Sequence, residues 1–206
     1  MRHPVLNSDG QPVTIHLPSR PTPLAAWSDS ARIATVVPGG ELPPQLNGIP
    51  FTAWEGSLTT PASLVNKPVD EPPFVLPAGL AAAAGVVVVE DDGRVWLVAP
   101  TNRFGGYEAT FPKGRVDPGT GLQHTAIREA FEESGLAVEL TAWLFDARRT
   151  QTFTRYYLAR RIGGSPAAMG WETQAVHLVP LAQLRAVAAH PNDAAIIRAL
   201  EHMKGR

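Results

Sequence analysis

The stretch that decides the fold runs Gly114-Arg115-Val116-Asp117-Pro118-Gly119-Thr120 and continues, from residue 128, as Arg128-Glu129-Ala130-Phe131-Glu132-Glu133-Ser134-Gly135-Leu136. Its second half predicts a helix over Leu122–Ser134. Ala126, Ile127, Ala130 and Phe131 recur at three- and four-residue spacing, as a buried stripe does. Glu129, Glu132 and Glu133 stand at i, i+3 and i+4, so their carboxylates share another face of the helix. Ser134-Gly135 ends the helix, with glycine free to take the left-handed cap. At the other end, Thr120 and Gln123 fit the capping-box pattern Thr-x-x-Gln.

Three clustered carboxylates repel one another by a few tenths of a kcal/mol per exposed pair. A divalent cation turns that repulsion into binding, and magnesium suits such hard oxygen ligands. The plain alternative is a solvated acidic face, the commoner fate of an isolated Glu-x-x-Glu-Glu. The preceding loop weighs against it. Gly114 permits close backbone approach, and Pro118-Gly119 turns the chain toward the helix. Fixed spacing of so many specified residues rarely arises by chance.

Outward from this segment the chain divides in two. Of its 20 prolines, 14 fall in the first 80 residues, a density that forbids long helices and long central strands there. Residues 1–78 read as a proline-rich extension of short strands and loops, with β-like runs at Val13–Leu17, Arg32–Val37 and Phe51–Trp54. Trp27 and Trp54 give it apolar mass, so it is expected to pack on the main domain or on a second subunit. Residues 79–206 read as the main domain. Val86–Val89 and Val95–Val98 suggest a hairpin around Asp92-Gly93. Leu136–Phe145, Phe153–Ala159 and Ala175–Val179 suggest further strands, and Ala194–Met203 a last helix behind an Asn192 cap. Strands interleaved with a few helices predict an α/β or α+β sandwich.

The 114–136 segment resembles the Nudix box: Gly, five residues, Glu, seven residues, Arg-Glu, an aliphatic, any residue, Glu-Glu, any residue, Gly, an aliphatic. Gly114, Arg128, Glu129, Ala130, Glu132, Glu133, Gly135 and Leu136 match in register. Thr120 stands where the pattern has its first glutamate. The resemblance implies an α/β/α sandwich with a mixed β-sheet. It also implies Mg²⁺ or Mn²⁺ held by Glu132 and Glu133, with the Gly114 carbonyl as a further ligand. Glu129 becomes a ligand or the base that activates water, and Arg128 orients the carboxylates. A carboxylate after the box often assists in this family, and Glu172 is the candidate here. The implied activity is metal-assisted cleavage of a phosphoanhydride bond.

The lead-in Phe111-Pro112-Lys113-Gly114 resembles the branch holding diadenosine polyphosphate and diphosphoinositol polyphosphate hydrolases. Lys113 and Arg115 are therefore candidate phosphate contacts. Arg148, Arg149 and Arg155 join them if they converge on the cleft, although arginines on edge strands are more often solvated. Tyr107, Phe111, Phe153 and Tyr157 are candidates to stack a base, though the core is the commoner place for each. Two other readings stand beside this one: a Nudix pyrophosphatase for nucleoside triphosphates or nucleotide sugars, and a non-catalytic ligand sensor.

Composition narrows the field further. The chain has 206 residues, is 44% hydrophobic and carries a net charge of -1. No global field draws it to nucleic acid or to an anionic membrane, so the expected partner is a small phosphorylated molecule. The absence of cysteine excludes disulfides, thiolate zinc sites and a cysteine nucleophile. The apolar run Leu80–Val89 is about half the length that spans a bilayer and reads as a buried strand. A cytoplasmic protein is the default expectation, and a homodimer follows from the resemblance and the apolar arm.

Overall fold

A computed structural model describes residues 1–52 and 68–204. Strand β4 (Ala81–Val88) lies at the centre of a four-stranded mixed sheet ordered β6-β4-β8-β7, where β6 is Lys113–Arg115, β7 Leu136–Arg148 and β8 Thr152–Gly164. β4 runs parallel to β8 and antiparallel to β6, and β7 runs antiparallel to β8. A second, antiparallel sheet holds β1 (Ala34–Val36), β9 (Thr173–Pro180) and β5 (Arg94–Pro100), in that order. The expected hairpin between Val86–Val89 and Val95–Val98 closes at a single bridge, Val89 to Val95, and then parts. Both edges of β4 are taken by β6 and β8, so β5 has no edge to pair with and joins β9 instead.

Strand alternation distributes the core to two faces. Val86, Val88, Trp96, Val98 and Tyr157 pack in one cluster with Ala126, Ile127 and Ala130 of helix α1 (Leu122–Ser134). Val87, Val95, Leu97 and Tyr156 pack in the other, with Leu184 of the short helix α2 (Leu184–Val187) and Ile196, Ile197 and Leu200 of α3 (Ala194–Lys204). The α/β/α sandwich with a mixed sheet is thus as expected.

Local details depart from expectation where a tertiary partner wins. Gly121, not Thr120, is the N-cap of α1, and it makes no side-chain cap bond. The Thr120 hydroxyl donates instead to the Asp117 carbonyl at 2.8 Å. Gln123 is withdrawn from any capping box by a two-way bond to the Val69 backbone, at 2.8 and 3.0 Å. Asn192 does not cap α3; its amide donates to the Tyr107 hydroxyl at 2.6 Å. The αL cap at Gly135 forms as expected, with its N–H bonded to the Phe131 carbonyl.

The first 52 residues join the same core. Of the expected β-like runs, Arg32–Val37 supplies β1, while Val13–Leu17 makes one isolated bridge, Thr14 to Arg2. Phe51 is outside any strand, and Ala53 and Trp54 lie outside the described residues. Outside the expected runs, a hairpin joins β2 (Gln45–Leu46) to β3 (Ile49–Pro50) through Asn47-Gly48, both at positive φ, the turn that Asn-Gly favours. Two buried arginines tie this segment down. Arg94 donates to the carbonyls of Ala26 and Trp27 at 3.1 and 2.6 Å. Arg161 donates to the Leu46 carbonyl at 2.8 Å and pairs with Glu90 at 2.6 Å.

One contact between β1 and β9 has a pH signature. Thr35 Oγ1 lies 2.8 Å from His177 Nδ1, and burial pushes the His177 imidazole down to about 4. A histidine depressed in the folded state contributes stability above its unfolded value near 6.5, and that stability is lost as pH falls toward 4. Urea unfolding of the wild type is expected to lose roughly 2 kcal/mol more between pH 7.5 and 4.5 than His177→Gln does. Equal losses in the two proteins would show that His177 does not titrate in this way.

Among the described residues no helix is long and apolar enough to cross a membrane, and the Leu80–Val89 run is largely β4.

Candidate active site

Helix α1 presents its carboxylates beside β6. Glu129, Glu132, Glu133 and Glu172 border one cavity of about 640 Å³, together with Arg115 and Arg128. Phe131, expected in the buried stripe, lines this cavity as well. Glu133 accepts the Lys113 N–H at 2.8 Å, which fixes the end of α1 to β6. Arg128 reaches Glu129 at 3.0 Å and Glu132 at 3.6 Å, and it takes a loop carboxylate, Asp117, at 3.0 Å. Asp117 was missed in the sequence, where it looks like an ordinary turn residue ahead of Pro118.

Burial pushes the Glu129 carboxyl up to about 8, the charge of Glu133 adding to it, Arg128 opposing, and Glu132 and Glu172 raising it further. Burial likewise raises Glu133 to about 7, against the opposing Lys113 charge. Glu132 is raised too, by burial and, against Arg128, by Glu172 and Asp117. This cluster is short of positive charge, and hard, crowded oxygens of this kind suit a divalent cation. Among the described residues, however, no three His, Asp or Glu groups are already gathered so as to hold a metal ion. The carboxylates have separate partners: Arg128 draws Glu129 and Glu132, and the Lys113 N–H holds Glu133. The donor chemistry fits the ion, and ligation requires these side chains to turn toward a common centre.

Gly114 lies against Glu129. A Cβ built there falls 2.0 Å from the Glu129 carboxyl carbon and within 2.2 Å of its oxygens. Because the obstacle is the end of a flexible side chain, Gly114→Ala is expected to spare the fold and displace the carboxylate. Turnover should fall by about 10- to 100-fold, as for a misplacement near 1 Å, with the melting temperature little changed. Unaltered turnover in a folded Gly114→Ala protein would remove Glu129 from the working set.

The structure does not bring every expected residue to the cleft. Lys113 borders a second, more apolar cavity of about 480 Å³, which also touches Glu133, Trp171 and Glu172. Arg155 is instead enclosed: its guanidinium is spent on Asp146 at 2.7 Å, the Pro72 carbonyl at 2.8 Å and Glu71 at 3.2 Å. Arg149 is buried against Asp193 and the hydroxyls of Tyr107 and Tyr156. Arg148 is exposed at the end of β7, and none of these three lines either cavity. The side chains of Arg149 and Arg155 are fixed by partners on other parts of the fold as well as nearby ones, such as Asp193 for Arg149 and Pro72 for Arg155, which spacing along the chain does not reveal. Of the stacking candidates, Phe111 and Tyr157 are core and Phe153 packs on Phe74 at 5.3 Å; Tyr107 lines the apolar cavity. Phe104 and Trp171, which line it too, were missed. The available signal was a phenylalanine beside Gly105-Gly106 and a tryptophan next to Glu172.

Comparison with known proteins gives a family for the chain. A family model for the NUDIX domain matches residues 79–200. The chain is 37% identical over 92 residues to an RNA pyrophosphohydrolase of Caulobacter vibrioides, covering 44% of this chain and 50% of that protein. It is 32% identical over 95 residues to an RNA pyrophosphohydrolase of Pseudoalteromonas atlantica, covering 45% and 51%. The chain thus spans about half the length of these curated relatives. Among solved structures, a Chromobacterium violaceum protein classed with the nudix hydrolase family is similar at a TM-score of 0.51 and 25% identity, over 64% of this chain and 83% of that one.

Proposed function

Because the chain belongs to the NUDIX domain family, we propose that it hydrolyses a phosphoanhydride bond in a nucleoside-linked polyphosphate, with Glu129, Glu132 and Glu133 as its working carboxylates. The observation that carries this reading is the convergence of Glu129, Glu132, Glu133 and Glu172 on one cavity that also holds Arg115 and Arg128. Glu132 and Glu133 would hold Mg²⁺ or Mn²⁺, with the Gly114 carbonyl and Glu172 in support. When bound, the ion supplies charge neutralisation at phosphate and a lowered pKa for water.

The remaining work falls to the chain. Glu129, which lines the cavity beside Glu132 and Glu133, accepts the proton that the attacking water releases. Arg128 holds Glu129 and Glu132 in orientation. Arg115, which lines the carboxylate cavity, contacts phosphate oxygens. In the reaction, a water oxygen bonds to phosphorus, the bridging P–O bond breaks, and the leaving phosphate carries the electron pair. The best substrate candidate is a dinucleoside polyphosphate; nucleoside triphosphates share the same linkage, and the relatives named RNA pyrophosphohydrolase make RNA a further candidate. Diphosphoinositol polyphosphates are disfavoured, since Arg148, Arg149 and Arg155 do not add positive charge to the cleft. We expect the working protein to be a cytoplasmic homodimer.

Hydrolysis of diadenosine tetraphosphate in ¹⁸O-labelled water tests the bond assignment. The label is expected in a phosphate group of one nucleotide product. Label found only in a nucleoside would mean carbon–oxygen cleavage and would overturn the mechanism.

A further inference from the structure

The two cavities meet at Glu133, Trp171 and Glu172, so one substrate can occupy both. They differ in chemistry. The first is walled by carboxylates and arginines. The second has Val13, Val98, Phe104, Tyr107 and Trp171 around a few polar groups. Phe104 is 83% exposed, an unusual position for a large apolar side chain with no core to serve.

Segment 1–19 lies outside the matched family domain, yet it contributes to both cavities. Val5 and Ser8 line the polar one and Val13 the apolar one. It also grips the loop that carries Phe104. The Asn102 side chain accepts the His16 N–H at 2.8 Å and donates to the Thr14 carbonyl at 2.8 Å. Gln174 ties the same two segments, accepting the Asn102 N–H at 2.9 Å and donating to the Leu17 carbonyl at 2.9 Å. His3, almost fully buried, bonds the Thr173 carbonyl at 3.1 Å, at the edge of the apolar cavity. Asn102 and Arg103 are both held at φ 55, a left-handed conformation that non-glycine residues adopt when their surroundings fix it.

We propose that this N-terminal arm is a specificity element of the cleft: it shapes the 101–106 loop and closes, with Val13, an apolar compartment that receives the nucleobase of the substrate. The inference rests on the nucleotide reading above. Phosphate then lies toward Arg115 and Arg128, while the base enters between Phe104 and Trp171. Stacking on such side chains tolerates any base, so the compartment distinguishes nucleotides from inorganic polyphosphates more than one base from another. Asn102 is a positioning residue, acting through the loop.

Calorimetric binding of adenosine triphosphate and of inorganic tripolyphosphate, with chelator present, tests the compartment without any need for turnover. Wild type is expected to bind the nucleotide roughly tenfold or more tightly. Phe104→Ala, at an exposed site, should erase most of that preference. Asn102→Gly keeps the left-handed backbone available while deleting both arm bonds, and it should do the same. With a hydrolysed nucleotide, both variants should raise KM about tenfold at unchanged kcat. A preference for nucleotide that survives both substitutions, or a wild type that binds the two ligands equally, would overturn the proposal. Selective nucleotide binding without hydrolysis would uphold the compartment and refute only the hydrolase reading.

Discussion

Glu133→Gln is expected to lower kcat on the best nucleotide substrate by on the order of 10²–10³-fold while leaving the melting temperature unchanged or slightly raised. The amide oxygen of glutamine can still accept the Lys113 N–H that Glu133 accepts at 2.8 Å, so the tie between α1 and β6 survives. What disappears is a negative charge that the fold tolerates poorly, since burial raises this carboxyl to about 7. Strain of that kind is kept where function needs it. Steady-state kinetics and thermal unfolding of the same preparation make the comparison. A Glu133→Gln protein with full magnesium-dependent turnover would move the site away from α1.

The second large effect is on stability. Glu90 and Arg161 pair at 2.6 Å with side chains 2% and 0% exposed. Glu90 also accepts from the Trp96 indole at 2.8 Å and the Asn47 amide at 2.9 Å. Removing one partner of such a pair leaves a buried charge without compensation, a loss of about 3–5 kcal/mol. Glu90→Ala should therefore lower the melting temperature by roughly 10 °C. Replacing both partners by apolar residues, as in Glu90→Leu with Arg161→Met, should recover much of the loss. A single substitution that leaves the melting temperature within a degree of wild type would show that residues 45–50 are not anchored through this pair.

The features legible in the sequence were those written in local spacing. Helix α1, its Gly135 cap and the gathering of Glu129, Glu132 and Glu133 follow from offsets of three and four residues, which hold wherever the helix lies. The valine-rich strand β4 was legible for a similar reason, because apolar length and a following Asp-Gly turn are local. The divergence of β4 and β5 was not, since it depends on β8 pairing with β4 across a long sequence separation, as at Ala81 with Thr152. The arginines failed as cleft residues on the same ground. Arg149 and Arg155 look alike in sequence to any surface arginine, and only the fold supplies Asp193 to one and Asp146 to the other. Thr120 was read as a cap because its spacing to Gln123 fits, yet Val69 competes for that glutamine from outside the helix. The arm's place in the cleft was invisible for the opposite reason: a proline-rich segment has no period to read.

The central claim is that the carboxylates around α1 form a hydrolytic centre for nucleoside polyphosphates. A magnesium-dependent hydrolysis screen tests it most directly, with diadenosine polyphosphates, nucleoside triphosphates, triphosphate-ended RNA, ADP-ribose, nucleotide sugars and diphosphoinositol phosphates, and products resolved by chromatography. Turnover of a nucleoside polyphosphate that chelator abolishes is the predicted result. No turnover of any nucleotide by folded protein in saturating magnesium would contradict it, and would leave the cleft as a site that binds without cutting.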